Sequence, residues 1–148
     1  MTTLGNFTVG QTLLSTDMNI IGTYSSFTVT TAGSALMTFT GVKCVLNKLV
    51  TFEIIGTATG AATPPFSVTL PDAMTSLNSA VTFQVACLDD SASTWYYGSC
   101  IPSSGTVIRP RAFLATGTYV NSSGVTALVP FTWANNDLIV ISGTYRAS

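Results

Sequence analysis

The chain has 148 residues, the length of one ordinary domain, and is 47% hydrophobic but only 7% charged, where about 25% charged is typical. Five basic residues (Lys43, Lys48, Arg109, Arg111, Arg146) face six acidic ones (Asp17, Glu53, Asp72, Asp89, Asp90, Asp137). With no Lys/Arg cluster it cannot neutralise a phosphate backbone, so nucleic acid is excluded as a partner. The absence of histidine removes Ser-His-Asp and Cys-His nucleophile pairs and histidine-based zinc sites.

Met1-Thr2-Thr3-Leu4-Gly5-Asn6 has neither the basic start nor the apolar core of a signal peptide. Residues 1–20 are expected to form an N-terminal arm or attachment segment, and the sequons Asn6-Phe7-Thr8 and Asn121-Ser122-Ser123 carry weight only in a secreted chain. From there the chain reads as strands, rich in Val, Ile, Thr, Phe and Tyr and punctuated by Ser, Gly, Asn and Pro. Ser25 to Thr31 and Ala35 to Gly41 are expected to pair through Ala32-Gly33-Ser34. Leu49 to Gly56 alternates, with Val50, Phe52 and Ile54 on one face and Thr51 and Glu53 on the other. Gly56-Thr57-Ala58-Thr59-Gly60 reads as a flexible loop, and Phe66 to Leu70 as a strand closed by Pro71. Asp72 to Leu77 has room for one helical turn. Val81 to Leu88 and Thr94 to Cys100 form a hairpin, followed by strands over Thr106 to Thr118, Thr126 to Thr132 and Leu138 to Tyr145. Eight or nine strands in one all-β domain suit an antiparallel sandwich or jelly roll.

Aliphatic runs such as Leu138 to Ile141 fall far short of the ~20 residues of a spanning helix, so membrane insertion is not expected. An outer-membrane barrel would carry aromatic girdles and long polar loops. Three cysteines, Cys44, Cys87 and Cys100, are expected as free thiols. A turn centred near Ser91 would set Cys87 against Trp95 and Cys100 against Thr82, too far apart to bond.

Chemistry has few places to reside. Asp89-Asp90 with Ser91 and Ser93 is a poor calcium pattern, and neighbouring acids on a turn do not span a glycosidic bond. No cofactor, metal site or catalytic residue is expected. Glu53 is expected to pair with Lys48 or a cross-strand partner. Arg109 and Arg111, flanking Pro110, suit an edge strand whose charges meet acids of a neighbouring subunit. Trp95-Tyr96-Tyr97 puts three aromatics in a row, so at least one ring points away from the core. Beside Asp89 and Asp90, such a ring can stack on a sugar, or else be buried between subunits. With so little charge to blunt strand edges, the surface is expected to be covered by copies of the same chain.

Four segments taken in order resemble a known family: Val42 to Phe52, Phe66-Ser67-Val68-Thr69-Leu70-Pro71, Arg111-Ala112-Phe113-Leu114, and Phe131-Thr132-Trp133 through Asp137-Leu138 to Ser142-Gly143-Thr144-Tyr145-Arg146. They are similar to the jelly-roll head domains of bacteriophage tail and head fibres and of spike proteins of large double-stranded DNA viruses. Lys43 to Asn47 departs from that family's usual Y-x-R-x-G. The resemblance implies a non-enzymatic, trimeric virion protein, assembled in the host cytoplasm and exposed on the particle. There it would attach to a host-surface glycan or receptor. Asp89, Asp90, Trp95, Tyr96 and Tyr97 are the contact candidates. The alternatives are a capsid cement or capping protein that binds other virion proteins, and a small polysaccharide-cleaving enzyme.

Overall fold

The computed structural model describes residues 24–75, 82–116 and 119–148, and among these the chain is all strand and turn, with no helix. The strands are β1 (Ser25–Ser26), β2 (Thr31–Ala32), β3 (Ala35–Leu46), β4 (Leu49–Thr63), β5 (Ser67–Thr69), β6 (Phe83–Asp89), β7 (Thr94–Pro102), β8 (Val107–Thr116), β9 (Tyr119–Gly124) and β10 (Leu138–Arg146). All pair antiparallel in one sheet, in the order β1-β3-β4-β10-β6-β7-β8-β5-β2, with β9 also on β8. Only Gly33 and Ser34 link β2, at one end of this path, to β3, near the other. The sheet therefore curls back towards itself.

The inner face holds the core. Val50, Phe52 and Ile54 of β4, Ile139, Ile141 and Tyr145 of β10, and Phe83, Val85 and Cys87 of β6 are buried together with Trp133. Phe52, Phe83 and Tyr145 meet edge-on, with ring centroids 5.3, 5.8 and 5.9 Å apart, an arrangement that aromatic quadrupoles favour. Tyr145 ties this end down. Its hydroxyl donates to the Asp72 carbonyl at 2.7 Å and accepts from the Asp72 amide at 3.0 Å. Lys43 meets the Asp72 carboxylate at 2.7 Å.

Several expectations change. Gly56 to Gly60 is not a loop but the interior of β4; Gly56 is a glycine because a Cβ there would collide with Phe39 and Ile139. Only Ser25 and Ser26 pair with β3, and Thr31–Ala32 leaves to pair with β5. Thr126 to Thr132 forms a turn closed by Thr126 and Val129, while Tyr119–Gly124 pairs with β8 instead. Phe131 to Trp133 is therefore not strand, and a turn at Asn135-Asn136 leads into β10. Arg109 and Arg111 are not on an edge: β8 lies between β7 and the β5/β9 pair, and Pro110 falls where its outer partner changes from β5 to β9. Pro110 has no N–H to give at that junction, and its carbonyl accepts from Val125. The ion pair of the described residues is Lys43–Asp72, so Glu53 pairs with neither Lys48 nor another cation. Asp72 to Thr75 makes no helical turn; residues 76–81 and the proposed arm at 1–20 lie outside the described residues.

The hairpin register differs by one residue from expectation: Cys87 faces Tyr96 and Cys100 faces Phe83. The conclusion stands, because all three cysteines are free thiols. Burial pushes the Cys87 thiol from 9.0 up to about 12. Burial, and then the neighbouring Cys87, raises Cys100 further still. Above pH 9 the unfolded chain therefore gives up thiol protons that the folded chain keeps. Stability should be insensitive to these groups below pH 9 and fall by about 1.4 kcal/mol per pH unit per thiol above it. Urea midpoints measured from about pH 8 to about pH 11 check this. Cys87→Ala should flatten the decline, reductant should not move the midpoint, and an unchanged slope in the variant would contradict the assignment.

Candidate functional site

The β6–β7 turn is built by its own polar groups. Asp89 pairs with Thr94, leaving Asp90 to Ser93 as the loop, with Ser93 at a φ of 50°. The Asp89 carboxylate accepts from the Ser91 hydroxyl at 2.8 Å and from the Ala92 amide, three residues on, at 3.1 Å, a local side-chain cap of the loop. Both bonds fall on Oδ1, which is thereby engaged in holding the loop. Asp90 is exposed at the tip, and its amide donates to Asp137 Oδ1 at 2.9 Å.

Asp137, just before β10, was not singled out as a site residue from the sequence. It is 1% exposed. Its other oxygen, Oδ2, accepts from the Ala134 amide at 2.6 Å. Its backbone carbonyl accepts from Ala58 at 2.8 Å, and the Asn136 amide donates back to Ala58 at 2.9 Å. One residue thus fastens the β6–β7 loop, the segment before β10 and the middle of β4 to one another.

Strand alternation then sorts the aromatic run. Tyr96 points inward, its ring 5.2 Å from Phe131, which lies 4.7 Å from Trp133. Trp95 and Tyr97 point outward, 45% and 64% exposed, about 7 Å apart along the strand. Of the five residues proposed for contact, Trp95, Tyr97 and Asp90 are accessible, Asp89 serves its turn, and Tyr96 packs against the core. Gly98, next in line, has no room for a Cβ, which would run into the backbone of Arg111 on β8. That close approach holds β7 firmly against its neighbour.

Beside Tyr97 the outer face carries a cavity of about 290 Å³ with Gln84, Ala86, Val140 and Ser142 in its lining. Ser142 also borders a cavity of about 400 Å³ around Glu53, Thr51, Val42 and Tyr24. The cross-strand pairs Val140↔Ala86 and Ser142↔Gln84 bring these groups together. Sequence reasoning missed Gln84 and Ser142; alternation shows that Glu53 faces outward, but only the register shows what surrounds it. Among the described residues no three His, Cys, Asp or Glu side chains gather as a metal site, and no helix is long and apolar enough to cross a membrane.

Fold and site together define an antiparallel all-β domain with an aromatic-edged, nearly uncharged outer face. No family model, no curated protein and no solved structure matches the chain.

Proposed function

We propose that the protein is a non-enzymatic component of a virus particle, a jelly-roll head domain of a fibre or spike. It attaches to host-surface glycan or receptor and assembles as a homotrimer. The attachment reading rests on one observation above all: Trp95 and Tyr97 stand exposed on a hairpin whose loop is held rigid by Asp89 and Asp137. Ordered aromatic rings beside a small cavity with an amide and a hydroxyl are the means by which a protein grips a sugar at low entropic cost. The virion setting is drawn from the four-segment resemblance. A capping protein bound to other virion components would use the same apolar outer face. A polysaccharide-cleaving enzyme is disfavoured, since Asp89 and Asp137 are committed to backbone and turn contacts.

Trp95 is exposed whereas the other tryptophan, Trp133, is buried, so a ligand stacking on Trp95 changes the chain's emission. Titration with a panel of neutral and acidic oligosaccharides should reveal at least one that shifts it. Trp95→Ala or Tyr97→Ala should weaken that ligand by about three- to tenfold. A panel without a binder, with tight binding to purified capsids, favours the capping role. Release of reducing ends would establish the enzyme.

A further inference from the structure

A different part of the outer face gathers positive charge. Arg109 and Arg111 occupy alternate positions of β8 and so project from the same side of the sheet. With Phe66, Pro110, Gly124 and Val125 they line a cavity of about 290 Å³. Arg111 is held in place: Nε donates to the Ser122 hydroxyl at 3.0 Å and an Nη to the Ser122 carbonyl at 2.6 Å. A guanidinium has five N–H donors, so three remain for a ligand. Arg109 is exposed, with no hydrogen bond or ion pair among the described residues.

Two guanidiniums share this cavity, and none of the described carboxylates answers them. Asp72 is taken by Lys43, and Asp137 by backbone amides. Asp89 pairs with Thr94 while Arg109 pairs with Ile101, seven residues along β7 and so ~23 Å away. Asp90 lies beyond Asp89 at the loop, and Glu53 sits on β4, separated from β8 in the sheet by β10, β6 and β7. Among the described residues the charge is left unanswered.

The third wall is aromatic. Phe66 is 58% exposed, yet fixed. Its amide donates to the Ala32 carbonyl at 3.1 Å, and its ring occupies the space where Gly33, at a φ of 74°, would otherwise carry a Cβ. A flat apolar face in the same cavity as two fork-shaped cations matches a ring that bears a carboxylate. The arginines suit the planar anion in bidentate fashion, and the phenyl face suits the ring's C–H surface. A bare phosphate would use the arginines and leave Phe66 idle.

We propose that Phe66, Arg109 and Arg111 form a binding site for an acidic sugar, separate from the Trp95–Tyr97 edge. The proposal rests on the attachment reading only for where such a sugar would be met. Calorimetric titration of the full chain with glucuronate, N-acetylneuraminate, glucose, acetate and inorganic phosphate tests it. Glucuronate or N-acetylneuraminate should bind, glucose should not, and raised salt should weaken binding. Arg109→Gln and Arg111→Lys should each lower affinity about tenfold. Phe66→Ala should weaken the sugar acid while leaving acetate as it was. Emission from Trp95 should stay silent throughout, which separates this site from the aromatic edge even if that edge binds no sugar. Equal binding of glucose, tighter binding of phosphate, or affinity unchanged in Arg109→Gln would overturn the proposal. So would failure of both sugar acids to bind, including the case in which Arg109→Gln instead changes the oligomeric state because a second copy's carboxylate fills the cavity.

Discussion

Asp137→Ala should be among the most damaging single substitutions in the chain. The carboxylate is 1% exposed and accepts from two backbone amides, Asp90 at 2.9 Å and Ala134 at 2.6 Å. Removing it leaves two donors without their acceptor in a place with little access to water. At about 1–3 kcal/mol for each unsatisfied buried group, the loss is on the order of 3 kcal/mol or more. In a chain of this size that corresponds to a drop on the order of 10 °C in melting temperature. Asp137→Asn is the informative companion. It keeps the volume, but its NH₂ end faces an amide that needs an acceptor, so it should recover only part of the loss. Because the Asp90 amide is one of the two donors, the β6–β7 loop should also loosen, with faster hydrogen exchange at Asp90. A melting temperature within a degree or two of wild type would mean that the amides find other partners.

The contrast between Asp137 and β4 shows what a sequence can disclose. The alternation Val50-Phe52-Ile54 against Thr51-Glu53 is local, and the structure keeps it, with one set buried and the other outward. The strand's continuation through Gly56 and Gly60 was hidden, because small residues read as a loop unless one knows that Phe39 and Ile139 fill the space above Gly56. Thr126 to Thr132 and Tyr119–Gly124 have similar strand character. Which of them pairs with β8 depends on where Pro110 falls in the ladder, and that is a tertiary fact. The Trp95-Tyr96-Tyr97 run required some ring to face outward. That two do so, with Tyr96 turned in towards Phe131, followed from a register that the four-residue loop sets. Asp137 was least legible of all. Its carboxylate joins Asp90, 47 residues earlier, and nothing in Asn135-Asn136-Asp137 distinguishes an exposed turn from a buried clamp. Chemistry carried by one segment could be read in advance; chemistry assembled from separate segments could not.

The largest effect on assembly should come from the far end of the molecule. The β3–β4 hairpin turns through Asn47 and Lys48, at φ of 45° and 70°, with Leu46 paired to Leu49, the geometry of a tight two-residue reversal. Its tip is apolar. Val45, Leu46 and Leu49 are 46%, 45% and 49% exposed, and Lys48 is the only charge in the turn. β1 covers just Val42 and Lys43 of the neighbouring edge, so β3 past Lys43 has no strand partner on that side among the described residues. An open edge beside exposed leucines invites a second copy of the chain. Along β10, Arg146 pairs with Leu49 at this end and Leu138 pairs with Leu88, beside Trp95, at the other. Eight residue steps separate them, ~27 Å of strand. Contact between copies at the hairpin would therefore leave the aromatic edge free for its ligand. Leu46→Lys with Leu49→Lys should convert the proposed oligomer into a monomer by light scattering at low micromolar concentration. The melting temperature of the monomer should fall only by the stabilisation that assembly had added. Sodium chloride at high concentration should not reproduce the effect, because a contact dominated by apolar groups is not weakened by screening. A wild-type chain that is already a soluble monomer would remove the trimeric head-domain proposal. A doubly substituted chain that stays oligomeric would place the interface on another face.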